Sequence, residues 1–313
     1  FLVNVIPGII VTVVTWTLID FDKPEKGLMK KFDWWGLASM AIFLGTLEYV
    51  LEEGNNKDWF QDEKIVIGTV IMLIGGVVFF WRAFKAELPV VDLRAFSNRN
   101  FAIGSLFSFV MGIGLYGLTY LYPLYLARIR GYDSLMIGET MFVSGLSMFF
   151  MAPVAGRMAS KLDPRVMMLI GFAGFAAGTW MVTGITADWD FYELLWPQIL
   201  RGTCLMMLMV PINNIALGTL PPERMKNASG LYNLTRNLGG AVGLAVINTI
   251  LSTRTDEHHM RLAERIDWSN PEALDWMANV TATYNSYGLD GAAIAVKKLS
   301  GIVGQQSTIM AFG

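Results

Sequence analysis

The feature that most constrains this chain is a series of long apolar runs separated by short polar segments. Each run has roughly 20 residues, the length that an α-helix needs to cross about 30 Å of hydrocarbon. The eight runs lie at about 1–19, 34–51, 65–84, 101–127, 135–156, 166–186, 193–218 and 228–251. Only 16% of the residues are charged, whereas soluble domains carry about 25%. Because backbone polar groups in lipid must be satisfied within the protein, we predict an all-α polytopic membrane protein.

Lysine and arginine residues are divided unequally between the two sets of loops. The loops after the first, third, fifth and seventh runs hold most of them, which predicts that these loops lie in the cytoplasm. The first helix then runs inward, so a complete protein with a cytoplasmic N-terminus would have an odd number of helices before it. The chain starts on Phe1 and ends on an apolar "IMAFG" segment, and we expect both natural ends to be missing. The polar stretch 252–305 is expected to lie outside as an irregular segment with one or two amphipathic helices.

The seventh run carries polar residues at positions where lipid makes them costly. Arg201 lies about 8 residues into the run, or roughly 12 Å at 1.5 Å per residue. Its guanidinium could snorkel to the outer surface, pair with a carboxylate or face a water-filled cavity. Asn213 and Asn214 follow Pro211, a residue that removes a helical hydrogen bond and bends the helix. The two amides either cap that break or line a cavity.

The eighth run has a polar stripe. Five polar or small residues recur at helical spacing in "SGLYNLTRNLGGAVG", namely Ser229, Asn233, Arg236, Asn237 and Gly240. A polar stripe in lipid must face protein or water, so it indicates either a helix–helix interface or a cavity wall with Arg236 as a fixed charge. Gly239 and Gly243 form a small-residue pair that permits close packing of a second helix.

The fourth run places Tyr116 and Tyr120 one helical turn apart within a glycine-rich segment. Aromatic side chains on a deformable helix suit a broad apolar cavity, and ordinary core packing explains them equally well. Glu139 near the outer end of the fifth run could titrate with a raised pKa if it is desolvated, or it could reach water. Glu48 in the second run has the same two interpretations.

The short turn "GRMASKLDPR" between the fifth and sixth runs concentrates charge on the predicted cytoplasmic side. Gly156 allows tight packing, and Arg157, Lys161 and Asp163 can bridge neighbouring helix ends. The turn is either a conformational latch or ordinary loop electrostatics.

Enzymatic chemistry has little support in this sequence. His258 and His259 are the only histidines, they are adjacent, and they lie outside the runs. Cys204 is the only cysteine, which excludes a disulfide within the chain and favours a packing role. We therefore predict no enzyme, no cofactor and no metal. The net charge of -2 favours no particular partner, and the chain has no basic surface of the kind that binds nucleic acids.

Several motifs resemble one family of membrane transporters. They are "FDWWGL", "LEEGNNKDWF", "PVVDLRAFSNRNFAIG", "GRMASKLDPR", "WPQILRG", "LPPERMKNASGLYNLTRNLGGAVG" and "DEHHMRLAE". Together they are similar to the EmrB/QacA-type drug:proton antiporters of the major facilitator superfamily, the branch with fourteen membrane helices. The His-His pair of the outer stretch is most similar to the Gram-negative EmrB subgroup.

The resemblance implies a placement of the runs within that fold. The chain would be a partial major facilitator fold with about eight transmembrane helices, the sixth to the thirteenth of fourteen. Residues 1–19 would be the last helix of the N-terminal half. Residues 20–95 would hold two extra central helices with cytoplasmic linkers. Residues 96–313 would be the C-terminal half without its last helix, which would begin near Phe312, and would include the outer loop 252–305.

The resemblance also implies a function, namely proton-driven efflux of hydrophobic small molecules across the inner membrane by alternating access. The residues expected to line the substrate cavity are Tyr116, Tyr120, Asn213, Asn233, Arg236 and Asn237. Arg201 and Glu139 are expected to pair charges or to gate the cavity. The best proton-coupling carboxylates of the family would lie in the preceding half.

The implied partners are the lipid bilayer, small hydrophobic substrates, protons, a periplasmic adaptor protein and an outer-membrane channel. Adaptor contact is expected at 252–305.

Two alternative functions stay open. One is a proton-coupled exporter of a single metabolite, such as a siderophore or a lipid, and the other is a membrane subunit that does not transport.

Overall fold

The computed structural model describes residues 5–18, 33–86, 89–266 and 271–312, and all of its long elements are α-helices. In chain order they are α1 (Val5–Leu18), α2 (Trp34–Glu53), α3 (Glu63–Lys85), α4 (Arg99–Arg128), α5 (Ser134–Ala159), α6 (Pro164–Trp180), α7 (Phe191–Leu217), α8 (Pro222–Arg265), α9 (Pro271–Asn285) and α10 (Gly291–Phe312). Three short 3₁₀ turns lie at Asn55–Lys57, Trp59–Gln61 and Leu93–Ser97.

Six helices are long and apolar enough to cross a membrane: α2, α3, α4, α5, α7 and the segment Asn227–Glu264 of α8. α1 is shorter, with 14 described residues, and α6 has 17 residues and ends at Trp180. Each of the eight predicted runs therefore contains a helix, and the all-α polytopic class is confirmed.

Polar residues at the helix starts explain where the helices begin. Six N-cap side chains accept hydrogen bonds from backbone N–H groups of the first helical turn, which have no partner within the helix. They are Asp33 before α2, Asp62 before α3, Asn98 before α4, Asp133 before α5, Asp163 before α6 and Asp190 before α7.

Helices α2 to α10 pack as a connected bundle in which α7 has neighbours on several sides. α7 packs against α4, α5 and α6, and α4 packs along α8. α2 and α3 form a hairpin whose outer part lies against α8. Apolar residues of α4, α6, α7 and α8 form the largest buried cluster, and a second cluster at the other end includes Tyr125, Leu194 and Ile309.

The stretch 252–305 is more helical than the irregular segment with one or two amphipathic helices predicted for it. α8 has 44 residues and continues to Arg265, and α9 and α10 follow it as further helices in the described residues. α10 packs against both α8 and α9. Contacts between the helices support them: α10 has buried residues that include Ala295 and Val303, and α9 is half-buried along one face. The low mean hydropathy of this stretch conceals such a tertiary effect. Phe312, the last residue described, lies in α10, which begins at Gly291, and the placement of the family's last helix stays a prediction.

α7 passes through both of its prolines without ending. Pro197 and Pro211 lie inside the helix, and the last helical residue is Leu217. Prolines are tolerated within membrane helices because neighbouring groups compensate for the lost backbone bond. The prediction that Asn213 and Asn214 cap a break at Pro211 is therefore wrong.

Candidate functional site

The polar stripe of α8 carries two groups of hydrogen-bonded side chains on one face. Arg236 donates from Nη2 to Oδ1 of Asn233 over 2.7 Å, and Asn233 donates from Nδ2 to the carbonyl oxygen of Ser229 over 3.0 Å. From α4, the hydroxyl of Tyr116 donates to Oδ1 of Asn237 over 3.1 Å. Asn233 and Asn237 are exposed and Arg236 is half-buried. Four of the six residues predicted to line a cavity thus lie on one open face.

Close contact between α4 and α8 holds this face in place. A Cβ atom at Gly112 would collide with the carbonyl oxygen of Arg236, and one at Gly239 would collide with that of Phe109. Gly243 lies against Ile113, so the predicted small-residue pair of α8 does contact a second helix. Backbones that approach this closely fix the position of Arg236 relative to Tyr116.

Tyr120, one turn beyond Tyr116, lines a cavity of about 470 Å³ between α2, α4 and α8, here called the outer cavity. Its polar lining includes Glu48, Glu52, Tyr120, Arg128, Asn248 and Asp256. Glu48 also lines a smaller space next to Asn237. The α8 face and the outer cavity therefore adjoin, and together they present hydroxyl, amide, carboxylate and guanidinium groups.

Arg201 of α7 lies inside the bundle and does not reach the outer surface. Arg201 is only 6% exposed. Its Cζ lies 4.7 Å from the ring centroid of Tyr122 and 5.8 Å from that of Phe175. Nε and Nη1 have no hydrogen-bond partner among the described residues. A desolvated cation–π contact contributes about 2 kcal/mol, whereas the effective penalty for burying an ion is several kcal/mol. The aromatic rings alone do not offset the burial of this charge.

Gln198 is a buried polar residue of this region that the sequence analysis missed. It is fully buried one turn before Arg201, and its Oε1 accepts a hydrogen bond from Ser144 of α5 over 2.9 Å. Its Nε2 has no partner in the described part of the chain. The sequence feature that could have identified Gln198 is its position three residues before the intramembrane Arg201.

The remaining predicted site residues lie apart from the α8 face. Asn213 is half-buried on α7 and makes no side-chain hydrogen bond with the described residues. Glu139 is exposed on α5, and within the described ranges neither Glu139 nor Arg201 forms an ion pair. The charge pairing expected of each residue is therefore not seen among the described residues, and the alternative gating role stays a prediction.

The turn at 156–165 is held by local hydrogen bonds, including one from the Ser160 hydroxyl to the carbonyl oxygen of Arg157 over 2.8 Å. Asp163 caps α6 by accepting a hydrogen bond from the backbone N–H of Arg165 over 2.8 Å. Arg157 and Lys161 are exposed and form no ion pair with the described residues. A Cβ at Gly156 would meet only open space, so the tight packing expected of this glycine is absent.

Asp190 links two loops at the end of the bundle where α4 ends and α7 begins. The Tyr132 hydroxyl and the Phe191 N–H both donate to its carboxylate, and Arg130 lies within 3.4 Å of it. These donors, led by Tyr132, hold the pKa of Asp190 below its ordinary value of 3.8. Among the described residues, no group of three His, Cys, Asp or Glu side chains is arranged to hold a metal ion.

Comparison with known proteins places this bundle in a family. The family described as "Major Facilitator Superfamily" matches residues 1–244. The chain belongs to the major facilitator superfamily. It is 38% identical over 95% of its length to the "Colistin resistance protein EmrB" of Acinetobacter baumannii, and 30% identical over 98% to the "Multidrug export protein EmrB" of Escherichia coli K12. It is also 30% identical over 85% to the "Fatty acid resistance protein FarB" of Neisseria gonorrhoeae.

The chain spans 58% of the length of the two EmrB relatives and 52% of FarB. These similarities confirm the predicted membership of the EmrB type. Together with the six apolar spans, they make the chain a multi-pass protein of the inner membrane. The family is one of transporters, not of enzymes.

Proposed function

We propose that the complete protein exports hydrophobic small molecules across the inner membrane, driven by inward proton flow. The polar face of α8 is the observation that carries this proposal, because lipid would not tolerate Arg236, Asn233 and Asn237 unless water, protein or substrate covers them. Relatives named for multidrug export and for drug resistance support the same conclusion.

The proposed mechanism is alternating access, in which two halves rock about a central site. α4 and α8 are packed too closely to slide, so we infer that they move together and carry Tyr116, Asn237 and Arg236 as one wall. The flat Tyr116 ring offers apolar contact, while the guanidinium and the amides bind the polar groups of a substrate. No covalent step is needed, so the protein acts as a transporter without enzymatic chemistry.

The test is dye transport into inverted membrane vesicles that hold the full-length protein. An imposed proton gradient should drive uptake by the wild type, and collapsing the gradient should abolish it. Arg236→Ala removes the only cation of the α8 face, and we expect uptake to fall at least about tenfold, as for a lost charged hydrogen bond. Arg254→Ala removes an exposed arginine of the same helix and should transport normally.

Two results would contradict the proposal at different levels. Unchanged dye uptake by Arg236→Ala would show that the α8 face is not part of the transport path. A wild type that moves no dye under a gradient would contradict multidrug efflux itself.

A narrower export function has support from one relative. FarB is named for fatty acid resistance, so a proton-coupled exporter dedicated to one amphiphile class is the second candidate. Competition separates the two: chemically unrelated compounds compete for a multidrug site, whereas only close analogues compete for a dedicated one.

We further propose that the outer helices bind a periplasmic adaptor protein, which would connect the transporter to an outer-membrane channel. The end of α8 with α9 and α10 forms a groove of about 300 Å³ lined by apolar residues including Leu274, Met277 and Val303, with His259 at its edge. Several large apolar side chains nearby are exposed, among them Tyr287 and Leu289. Loss of copurification with the adaptor when Leu274→Asp is introduced is the expected result, while retained copurification would place adaptor contact elsewhere.

A further inference from the structure

The buried guanidinium of Arg201 has no ion-pair partner among the described residues. It lies between α4, α6 and α7, where its Cζ is 4.7 Å from the ring centroid of Tyr122. On α6, Gly178 leaves the space that the aliphatic part of the Arg201 side chain fills. Two of its nitrogens, Nε and Nη1, have no hydrogen-bond partner among the described residues. A permanent cation with free donors at this depth requires an anion.

An apolar cavity lies on the other elements that contact Tyr122, and Arg201 itself is not part of its lining. It measures about 120 Å³ and is lined by residues of α4 and of the segment around the end of α6, with Phe312 of α10. Leu118, Leu121, Val182 and Ile185 supply the apolar surface. Tyr122 belongs to the same lining, so its side chain is shared by the cavity and the guanidinium. Its hydroxyl is buried and lies beside the guanidinium of Arg201.

We propose that Arg201, Tyr122 and this cavity form a binding site for an amphiphilic carboxylate. The carboxylate pairs with the unused donors of Arg201, and the hydrocarbon tail occupies the cavity beside Tyr122. A guanidinium donates charge-assisted hydrogen bonds to a carboxylate, and the Tyr122 hydroxyl is a further donor at this position. An organic cation is repelled by the same charge, and an uncharged amphiphile leaves the charge unpaired.

This site is separate from the polar face of α8, which belongs to α4 and α8. Binding at Arg201 therefore does not depend on the proposed function. Export of such carboxylates, in contrast, depends on the proposed function. The experiment measures binding, so a failure of either proposal can be told apart from a failure of the other.

The experiment uses the full-length protein in lipid nanodiscs with radiolabelled octanoate as the probe. Wild type should bind octanoate saturably. Arg201→Gln keeps a polar side chain without the charge, and we expect octanoate affinity to fall at least about tenfold. Arg201→Lys keeps the charge but not the planar fork, so its affinity should lie between the two. The control Arg254→Gln removes an exposed charge and should bind as the wild type does.

A second variant tests the cavity while the charge of Arg201 is kept. It also tests the proposal if Arg201→Gln fails to fold. Val182→Trp should fill the cavity and weaken octanoate binding at least about tenfold, because overpacked sites cannot accept a ligand without strain. Octan-1-ol, with the same tail and no charge, should not displace bound octanoate at equal concentration.

Three outcomes would overturn the proposal. One is equal octanoate affinity in wild type, Arg201→Gln and Val182→Trp. Another is binding that does not saturate. The third is a structure of the ligand-free full-length protein in which a carboxylate of the protein itself lies within ion-pair distance of Arg201.

Discussion

At the scale of single residues, the pair between Asp33 and Arg82 joins the ends of the α2–α3 hairpin. Arg82 donates from both Nε and Nη2 to Oδ1 of Asp33, and the Nε distance is 3.1 Å. The Asp33 side chain is 3% exposed and that of Arg82 is 32% exposed. Burial raises the pKa of Asp33, but hydrogen bonds from Arg82 and from the Gly36 N–H outweigh it, and the pKa lies below its ordinary value of 3.8. Asp33 is therefore charged and paired at neutral pH.

Asp33→Asn should destabilise the hairpin by about 2 kcal/mol, the usual value of a hydrogen bond to a charged group. The folded-state pKa is lowered, so this stabilisation is complete above pH 3.8 and is lost as the pH falls further. Thermal unfolding in detergent at pH 7 and at pH 3 measures both effects. Asp58→Asn makes the same chemical change at an exposed residue and should be nearly neutral. An equal effect of the two variants would contradict this account.

Sequence reasoning at this scale identified costly residues but not their partners. Arg201 was recognised as an intramembrane charge, and its burial between two aromatic rings was not foreseen, because Tyr122 and Phe175 lie on other helices. The charge partners of Arg201 and Glu139 could not be named from the sequence for the same reason, since helix rotation decides which faces meet. Local periodicity does describe one helix, and so the stripe Asn233, Arg236 and Asn237 was predicted as a unit.

At the scale of elements, the crossing of α4 over α8 rests on glycines at its point of closest approach. Gly112→Ala would place a methyl group on the carbonyl oxygen of Arg236, which is backbone and cannot rotate away. We expect the helices to separate at a cost of about 1–3 kcal/mol, the range found for overpacked sites. Thermal unfolding and dye transport should both be impaired, since Arg236 moves with its backbone.

Gly138→Ala is the matched control for this substitution. Gly138 lies within α5, and its added Cβ would meet nothing within 4 Å. Replacing a helical glycine by alanine in open space should stabilise the protein by about 0.5–1 kcal/mol. A loss of stability in Gly138→Ala as large as that in Gly112→Ala would show that glycine flexibility, not close packing, matters at both positions.

The elements divide clearly into those that periodicity predicts and those that it does not. Apolar runs predicted the helices of the first 251 residues because span length is set by the bilayer. Capping residues such as Asp62 and Asp190 mark the starts of α3 and α7 in the sequence itself. The helices between 252 and 312 were missed as a packed unit because their stability comes from contacts among α8, α9 and α10. Such contacts have no signature in a hydropathy average.

At the scale of the whole molecule, the charge bias of the loops predicts how the bundle is oriented in the membrane. It places the α5–α6 turn in the cytoplasm and the α9–α10 connection outside. Lys161 of the turn and Tyr287 of the connection are both exposed. They are therefore suitable sites for single cysteine substitutions that report on the two sides.

The orientation can be tested by labelling these two positions in the full-length protein with a membrane-impermeant maleimide. In intact spheroplasts Tyr287→Cys should be labelled, whereas Lys161→Cys should react only after permeabilisation. The unsubstituted protein sets the background, and Cys204 should contribute little to it because its thiol is buried. The reverse labelling pattern would show that the bundle has the opposite orientation in the membrane. It would turn the outer cavity and the groove at Leu274 toward the cytoplasm, and with them the adaptor site that we propose.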